Sequence, residues 1–245
     1  MILDMPADKF DQLSSEGKKK YIVNLIIKDS GSKPVGEGEV PIAFVMAGIP
    51  GSGKTEFLDT VTEELQNKYK NKEFVRIDLD QIVTIYPGYT PKTYSKFRSQ
   101  GNNVLARSVD QLRRKRYNMM IDGTFSGVSG SSLRNVDKLL SAGYRVSLVY
   151  MHDSAENAWS YTQDREKVTD RGIDKDDFLQ SCANISDNLK SAMLQFNDNN
   201  NNNFSMAVVQ QKKLRDKNYE VLTSLSDIDK IINDGYNIDI IKETL

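Results

Sequence analysis

The sequence holds one cysteine, Cys182, and one histidine, His152, among 245 residues. A single thiol excludes an internal disulfide framework and fits a reducing compartment. A single imidazole excludes a histidine-based metal cluster, and a Ser-His-Asp centre would have to be built on that one residue. Excess charge is also missing: 33 Lys and Arg stand against 34 Asp and Glu, a formal net charge of -1. A globally basic nucleic-acid binder is thereby disfavoured, and any basic contact has to be local. No stretch reaches the roughly 18 apolar residues a membrane span needs, and the opening MILDMPADKFDQ lacks the basic-then-apolar order of a secretory leader. The expectation is a soluble, cytoplasmic chain with no membrane contact. What is present, 38% hydrophobic and 27% charged residues, supplies a sizeable core and rules out wholesale disorder.

Punctuation divides the chain. The first 20 residues read as a short helix ending in a charged stretch, and YIVNLIIK (21–28) is apolar and β-branched, open between strand and helix. DSGSKPVGEGEVP (29–41) is a Gly/Pro/Ser-rich breaker. It sets an N-terminal appendage, 1–40, apart from a main domain, 41–245. IAFVMAG (42–48) is then a nearly continuous apolar run, too short for a globular helix and typical of a strand buried on both faces. An amphipathic helix over 56–70, a strand FVRID (74–78), a helix over about 96–115 and a strand YNMMIDG (117–123) follow. A helix closed by Gly143 and a strand YRVSLVYM (144–151) come next. This alternation predicts a parallel α/β sheet with right-handed crossovers. Residues 154–196 read as helical with an interruption near DRGID, a lid region, and 197–203 as an exposed Asn-rich loop. SMAVVQ (205–210) reads as a last strand, followed by two short helices near 225–232 and 238–245.

Between the first strand and the first amphipathic helix lies Gly48-Ile-Pro50-Gly51-Ser52-Gly53-Lys54-Thr55, which fits G-x-x-x-x-G-K-[ST] at every fixed position. Glycines let the backbone N–H groups turn inward as an anion nest at a helix N-terminus. Lys54 can reach the β- and γ-phosphates of ATP or GTP, and the Thr55 hydroxyl can ligate Mg²⁺. The fold class that follows is a P-loop NTPase, kinase-like, a three-layer α/β/α with a mainly parallel sheet.

Other chemistry gathers at the carboxyl ends of the strands, where open parallel sheets bind ligands. Asp78 ends FVRID and Asp80 follows it, and one of them is the candidate base for an acceptor hydroxyl. Asp122-Gly123-Thr124 repeats the arrangement after the third strand: Asp122 as a direct or indirect Mg²⁺ partner, Thr124 as a bond to phosphate or acceptor. Arg165 and Arg171 fall in YTQDREKVTDRG, where mobile cations can cover a triphosphate and exclude water. RRKR (113–116) reads as a solvated helix end or a polynucleotide or phosphosugar patch, His152 as structural or surface, Trp159 and Tyr161 as packing, and Cys182 as a small buried hydrophobe.

The set IAFVMAGIPGSGKT, VRIDLDQI with YPGY, YNMMIDGT, GYRVSLVYM and DRE…DRG resembles the zeta-toxin family over roughly residues 40–196. These are P-loop kinases of bacterial toxin–antitoxin systems. The resemblance implies ATP- or GTP- and Mg²⁺-dependent phosphorylation of the 3′-hydroxyl of UDP-N-acetylglucosamine. It also implies a separate antitoxin chain. By the same resemblance, Lys54 and Thr55 serve nucleotide and metal, and Asp80 matches the catalytic base. Asp122 and Thr124 stand in an E-G-T motif that has become Asp-Gly-Thr, and Arg165 and Arg171 match the arginines on the transferred phosphate. Two positions depart from it. Ala106 stands where a sugar-contacting glutamate is expected, with Asp110 four residues on as the candidate substitute, and Ser126 replaces an arginine. Both departures lie on the acceptor side. A polynucleotide or nucleoside kinase using RRKR, and a non-catalytic NTP-binding regulator, are the rival readings.

Overall fold

The computed structural model describes residues 4–68, 73–170, 172–197, 202–211 and 218–244. The N-terminal segment forms α1 (Ala7–Gln12) and α2 (Ser15–Ser30). Ser14 opens α2 by accepting the Gly17 N–H at 3.1 Å, and Gly31 closes it in the left-handed conformation at φ 65°. The apolar run 21–28 therefore lies inside a helix. Its Ile22, Val23, Leu25 and Ile26, spaced three and four apart, are buried in the same core as the sheet.

The alternating elements then follow as β1 (Ile42–Ala47), α3 (Lys54–Lys68), β2 (Val75–Asp78), α4 (Leu79–Val83), α5 (Tyr94–Arg114) and β3 (Met119–Asp122). After them come α6 (Ser131–Ser141), β4 (Arg145–His152), α7 (Ala155–Thr169), α8 (Lys175–Ala192) and β5 (Phe204–Gln211). β6 (Tyr219–Leu222), α9 (Leu225–Asp234) and α10 (Ile238–Thr244) complete the described chain. Sheet order is β2-β3-β1-β4-β5-β6, parallel throughout except for β6, which runs antiparallel to β5. Neither β6 nor the short α4 is foreseen by the sequence. β6 is four residues long and carries only half-buried and exposed residues, so it lacks the apolar run that marks the buried strands. Of the Asn-rich stretch, residues 198–201 lie outside the described residues.

Three layers follow from the alternation of side chains along β1. Ala43, Val45 and Ala47 join one core, with α2, α5, α6, α7, α8, α9 and α10. Ile42, Phe44 and Met46 join a second core with Phe57 and Leu58 of α3. Burying both faces leaves the carboxyl ends of the strands as the open edge.

Candidate active site

The phosphate loop leaves β1 at its carboxyl end and enters α3 at Lys54. Gly51 and Gly53 take φ of 82° and 84°, which only glycine adopts without strain. The Gly48 N–H donates to the Thr124 carbonyl at 3.1 Å, tying the loop to the turn after β3. Lys54 Nζ donates to the Gly48 and Ile49 carbonyls at 3.0 and 2.8 Å. Burial lowers the pKa of this ammonium; the Asp122 and Asp80 carboxylates work the other way, and Arg165 adds to the lowering. Four of the residues singled out in the sequence, Lys54, Asp80, Asp122 and Arg165, thus share one electrostatic site.

α7 forms its wall. The helix crosses the loop so closely that the Ala158 carbonyl leaves no room for a side chain at Gly51. The Tyr161 hydroxyl donates to Glu56 Oε1 in the first turn of α3, so Tyr161 links the two helices. Trp159 packs edge-on against Phe178 of α8, as a packing residue should. Arg171 lies outside the described residues.

Strand order assembles the carboxylates. Asp78 and Asp122 are register partners on adjacent parallel strands, with side chains 8% and 7% exposed. Asp78 ends β2 and caps α4, accepting the Asp80 N–H at 2.8 Å. Burial, then the charges of Asp122 and Asp80, push its carboxyl up to about 6. Asp80 sits in the first turn of α4 and accepts the Tyr94 hydroxyl at 3.1 Å. Asp122 Oδ2 accepts the Thr55 hydroxyl at 3.2 Å and Arg76 Nη2 at 3.2 Å. Nothing in the sequence singles out Tyr94. Arg76 carries one faint signal: two residues before Asp78, it falls on the same strand face.

The turn after β3 is held by a bond within itself and by α8. Thr124 Oγ1 and Ser126 Oγ lie 2.7 Å apart, and Phe125 is buried at φ 58°, a rare conformation for a bulky residue. Asn188 Nδ2 of α8 donates to the Phe125 and Gly127 carbonyls at 2.8 and 3.1 Å, and Asn184 Nδ2 donates to the Ser126 carbonyl at 3.2 Å. The asparagines, unremarked in sequence, fix where Thr124 stands beside the loop.

Other sequence candidates lie apart. Asp110 is 16 residues along α5 from Tyr94, about 24 Å at 1.5 Å per residue. It pairs with Arg113 and Arg114 at 2.7 and 3.0 Å, and the Arg113 hydrogen bond holds its carboxyl below the usual range. RRKR precedes β3 and so marks the amino edge of the sheet, opposite the phosphate loop. Ala106 is exposed on α5. His152 ends β4 with Nδ1 3.0 Å from the Tyr150 hydroxyl, and burial lowers its pKa. The Tyr150 hydroxyl donates to Tyr236 at 3.2 Å, and Tyr236 donates to the Asp153 carbonyl at 2.9 Å. Cys182 is fully buried, its thiol pushed up to about 12 by burial.

A magnesium ion fits the oxygens present. Thr55 Oγ1 and the Asp122 carboxylate are hard donors side by side. Among the described residues no three His, Cys, Asp or Glu side chains form a metal cage. Mg²⁺ characteristically completes such sparse protein sites with water and phosphate.

Comparison with known proteins places this geometry. A toxin zeta of Enterococcus hirae is 25% identical over 165 residues, 62% of this chain and 56% of that protein. The chain spans 31–56% of the length of the curated relatives it matches. A structure from the PezAT chromosomal toxin–antitoxin system of Streptococcus pneumoniae superposes with a TM-score of 0.63 at 18% identity, over 98% of this chain and 93% of that one. An AvrRxo1-ORF1:-ORF2 complex with ATP gives 0.58 at 14% identity, over 92% of this chain and 70% of that one. At such identities the likeness is one of fold, the three-layer α/β/α of P-loop kinases. Residues 28–218 match the family model described as Zeta toxin, and the chain belongs to that family.

Proposed function

We propose that the chain is an ATP-dependent kinase that transfers the γ-phosphate to a hydroxyl of a small molecule, foremost the 3′-hydroxyl of UDP-N-acetylglucosamine. One observation carries the reading: a glycine-rich loop at the carboxyl edge of a parallel sheet folds Lys54 onto its own carbonyls and sets Thr55 against Asp122, with the charges of Asp122, Asp80 and Arg165 all reaching Lys54. The AvrRxo1 complex, similar in fold, holds ATP, which supports that nucleotide here; GTP suits the same loop.

In this reading the backbone N–H groups of residues 48–55 and Lys54 Nζ bind the phosphates. Thr55 and Asp122 hold Mg²⁺, which neutralises charge on the phosphate oxygens when bound. Asp80, oriented by Tyr94, takes the proton of the acceptor hydroxyl as its oxygen attacks the γ-phosphorus and ADP leaves. Arg165, joined by Arg171, neutralises charge on the phosphoryl group in flight. Thr124 contacts phosphate or acceptor. PezAT is a toxin–antitoxin system, and the likeness to it supports a separate antitoxin partner for this chain.

RRKR at the opposite sheet edge weighs against a polynucleotide acceptor, because a strand bound there would lie far from Asp80. Asp110, engaged with Arg113 and Arg114, weighs against its use on a sugar.

The test is transfer from γ-³²P-ATP with Mg²⁺ to UDP-N-acetylglucosamine, other nucleotide sugars, nucleosides and 5′-hydroxyl oligonucleotides. Label on the UDP-sugar, falling by at least about 10²-fold in Asp80→Asn with nucleotide binding intact, is the expected result. Label on another acceptor overturns the sugar assignment and keeps the chemistry. Full transfer by Asp80→Asn overturns the assignment of the base.

A further inference from the structure

A hydroxyl that ligates a cation must aim a lone pair at the metal and its proton elsewhere. At Thr55 that proton goes to Asp122 Oδ2, 3.2 Å away. The same oxygen accepts Arg76 Nη2, also at 3.2 Å. The Arg76 guanidinium is held in turn: Nη1 contacts Asp59 Oδ1 of α3 at 2.5 Å, and Nη2 stands 3.6 Å from Asp78 Oδ2. One planar fork thus reaches carboxylates from α3, β2 and β3, a geometry that a lysine's single point charge does not reproduce.

We propose that Arg76 is a positioning residue that aims the Asp122 carboxylate at the Thr55 hydroxyl, so that Thr55 presents its lone pairs to the metal ion of the bound nucleotide. The inference rests on the reading of the loop as a Mg²⁺–nucleotide site. It adds a component outside the phosphate-loop motif. Arg76 touches neither nucleotide nor metal; it acts through Asp122. Arg76 also lies between two buried like charges, 3.6 Å from Asp78 and 3.2 Å from Asp122, and offsets their repulsion.

A second role follows from that last point, and the experiment has to separate the two. Arg76→Met alone leaves two buried carboxylates without their cation and is expected to unfold the edge of the sheet. Arg76→Met combined with Asp78→Asn removes one charge of each sign, leaves Asp122 uncrowded, and keeps the amide oxygen that caps α4. Arg76→Lys keeps the positive charge and loses the fork. The readout is calorimetric binding of ATP, with EDTA and with Mg²⁺, to wild type, to Asp78→Asn as the reference, to the double variant and to Arg76→Lys. Thermal unfolding of each establishes that it is folded.

The expected result is unchanged affinity in EDTA, with the gain contributed by Mg²⁺ reduced by roughly 10-fold in the double variant relative to Asp78→Asn. That is the low end of what loss of an outer-shell partner costs a metal site. Arg76→Lys should show the same loss while remaining as stable as the double variant. If the double variant retains the full Mg²⁺ gain, Arg76 only balances charge and the positioning role is overturned. If wild type binds ATP with no gain from Mg²⁺, the metal reading of Thr55 and Asp122 falls, and the role of Arg76 with it. If wild type binds no ATP at all, the proposed function itself fails.

Discussion

A β-carbon at Gly51 would stand 2.1 Å from the carbonyl oxygen of Ala158. The phosphate loop and α7 are therefore packed backbone to backbone, and the contact tolerates no side chain. Gly51 also has φ 82°, where an L-residue loses about 1–2 kcal/mol. Gly51→Ala should lower unfolding free energy by more than that backbone cost, because α7 must also move. Urea denaturation and calorimetric ATP titration check it: a stable variant with wild-type affinity would show that α7 gives way freely.

Tyr94→Phe removes one hydroxyl and leaves the ring. The hydrogen bond it deletes is the 3.1 Å contact to Asp80 Oδ1. Bonds to charged groups are worth about 1.5–3 kcal/mol, so transfer should fall by roughly 10-fold or more, with ATP affinity unchanged. Steady-state kinetics on the identified acceptor provide the measurement. Equal loss in nucleotide binding would place Tyr94 in a general packing role.

Asp78 gives the molecule a definite pH response. Its carboxyl is raised from 3.8 to about 6 in the fold, so between those values the folded chain holds a proton that the unfolded chain has released. This group's contribution is neutral below pH ~4 and becomes unfavourable as pH rises through about 6, by on the order of 3 kcal/mol. Asp78→Asn, which keeps an oxygen for the Asp80 N–H, should be more stable than wild type at pH 7, with the gap closing toward pH 4. Urea midpoints across that range decide it; a constant gap contradicts the assignment.

Asn188 satisfies two carbonyls, those of Phe125 and Gly127. Asn188→Ala should cost about 1–3 kcal/mol by leaving those groups without their donor. It should also release the φ 58° turn at Phe125. Thermal unfolding measures the first effect, and a rise in KM for the acceptor at unchanged ATP affinity measures the second.

What sequence revealed and what it concealed divide along a physical line. The phosphate loop is legible because its residues are contiguous and their backbone conformation dictates glycine. The parallel core is legible because burial on both faces makes β1 wholly apolar. Asp80 and Asp122 are legible as carboxylates at strand ends. Arg76 gains its meaning only from β2 lying beside β3, and Tyr94 only from the return of α5 to the same edge. The α8 asparagines depend on a helix that lies 61–63 residues along the chain from the carbonyls Asn188 holds. Such relations are properties of strand order and helix docking. No local pattern encodes them. The run 21–28 shows the converse: its β-branched composition suits a strand, and the cap at Ser14 with the stop at Gly31 decides for helix.

The Tyr236 hydroxyl holds the Asp153 carbonyl immediately before α7, and α10 packs on both α7 and α8. A ribosome delivers residues in order, N-terminus first. The segment at 225–244 that steadies the wall emerges some 170 residues after the glycine loop at 48–55. A nascent chain carries the loop, Asp80 and Asp122 long before α7 has its final support.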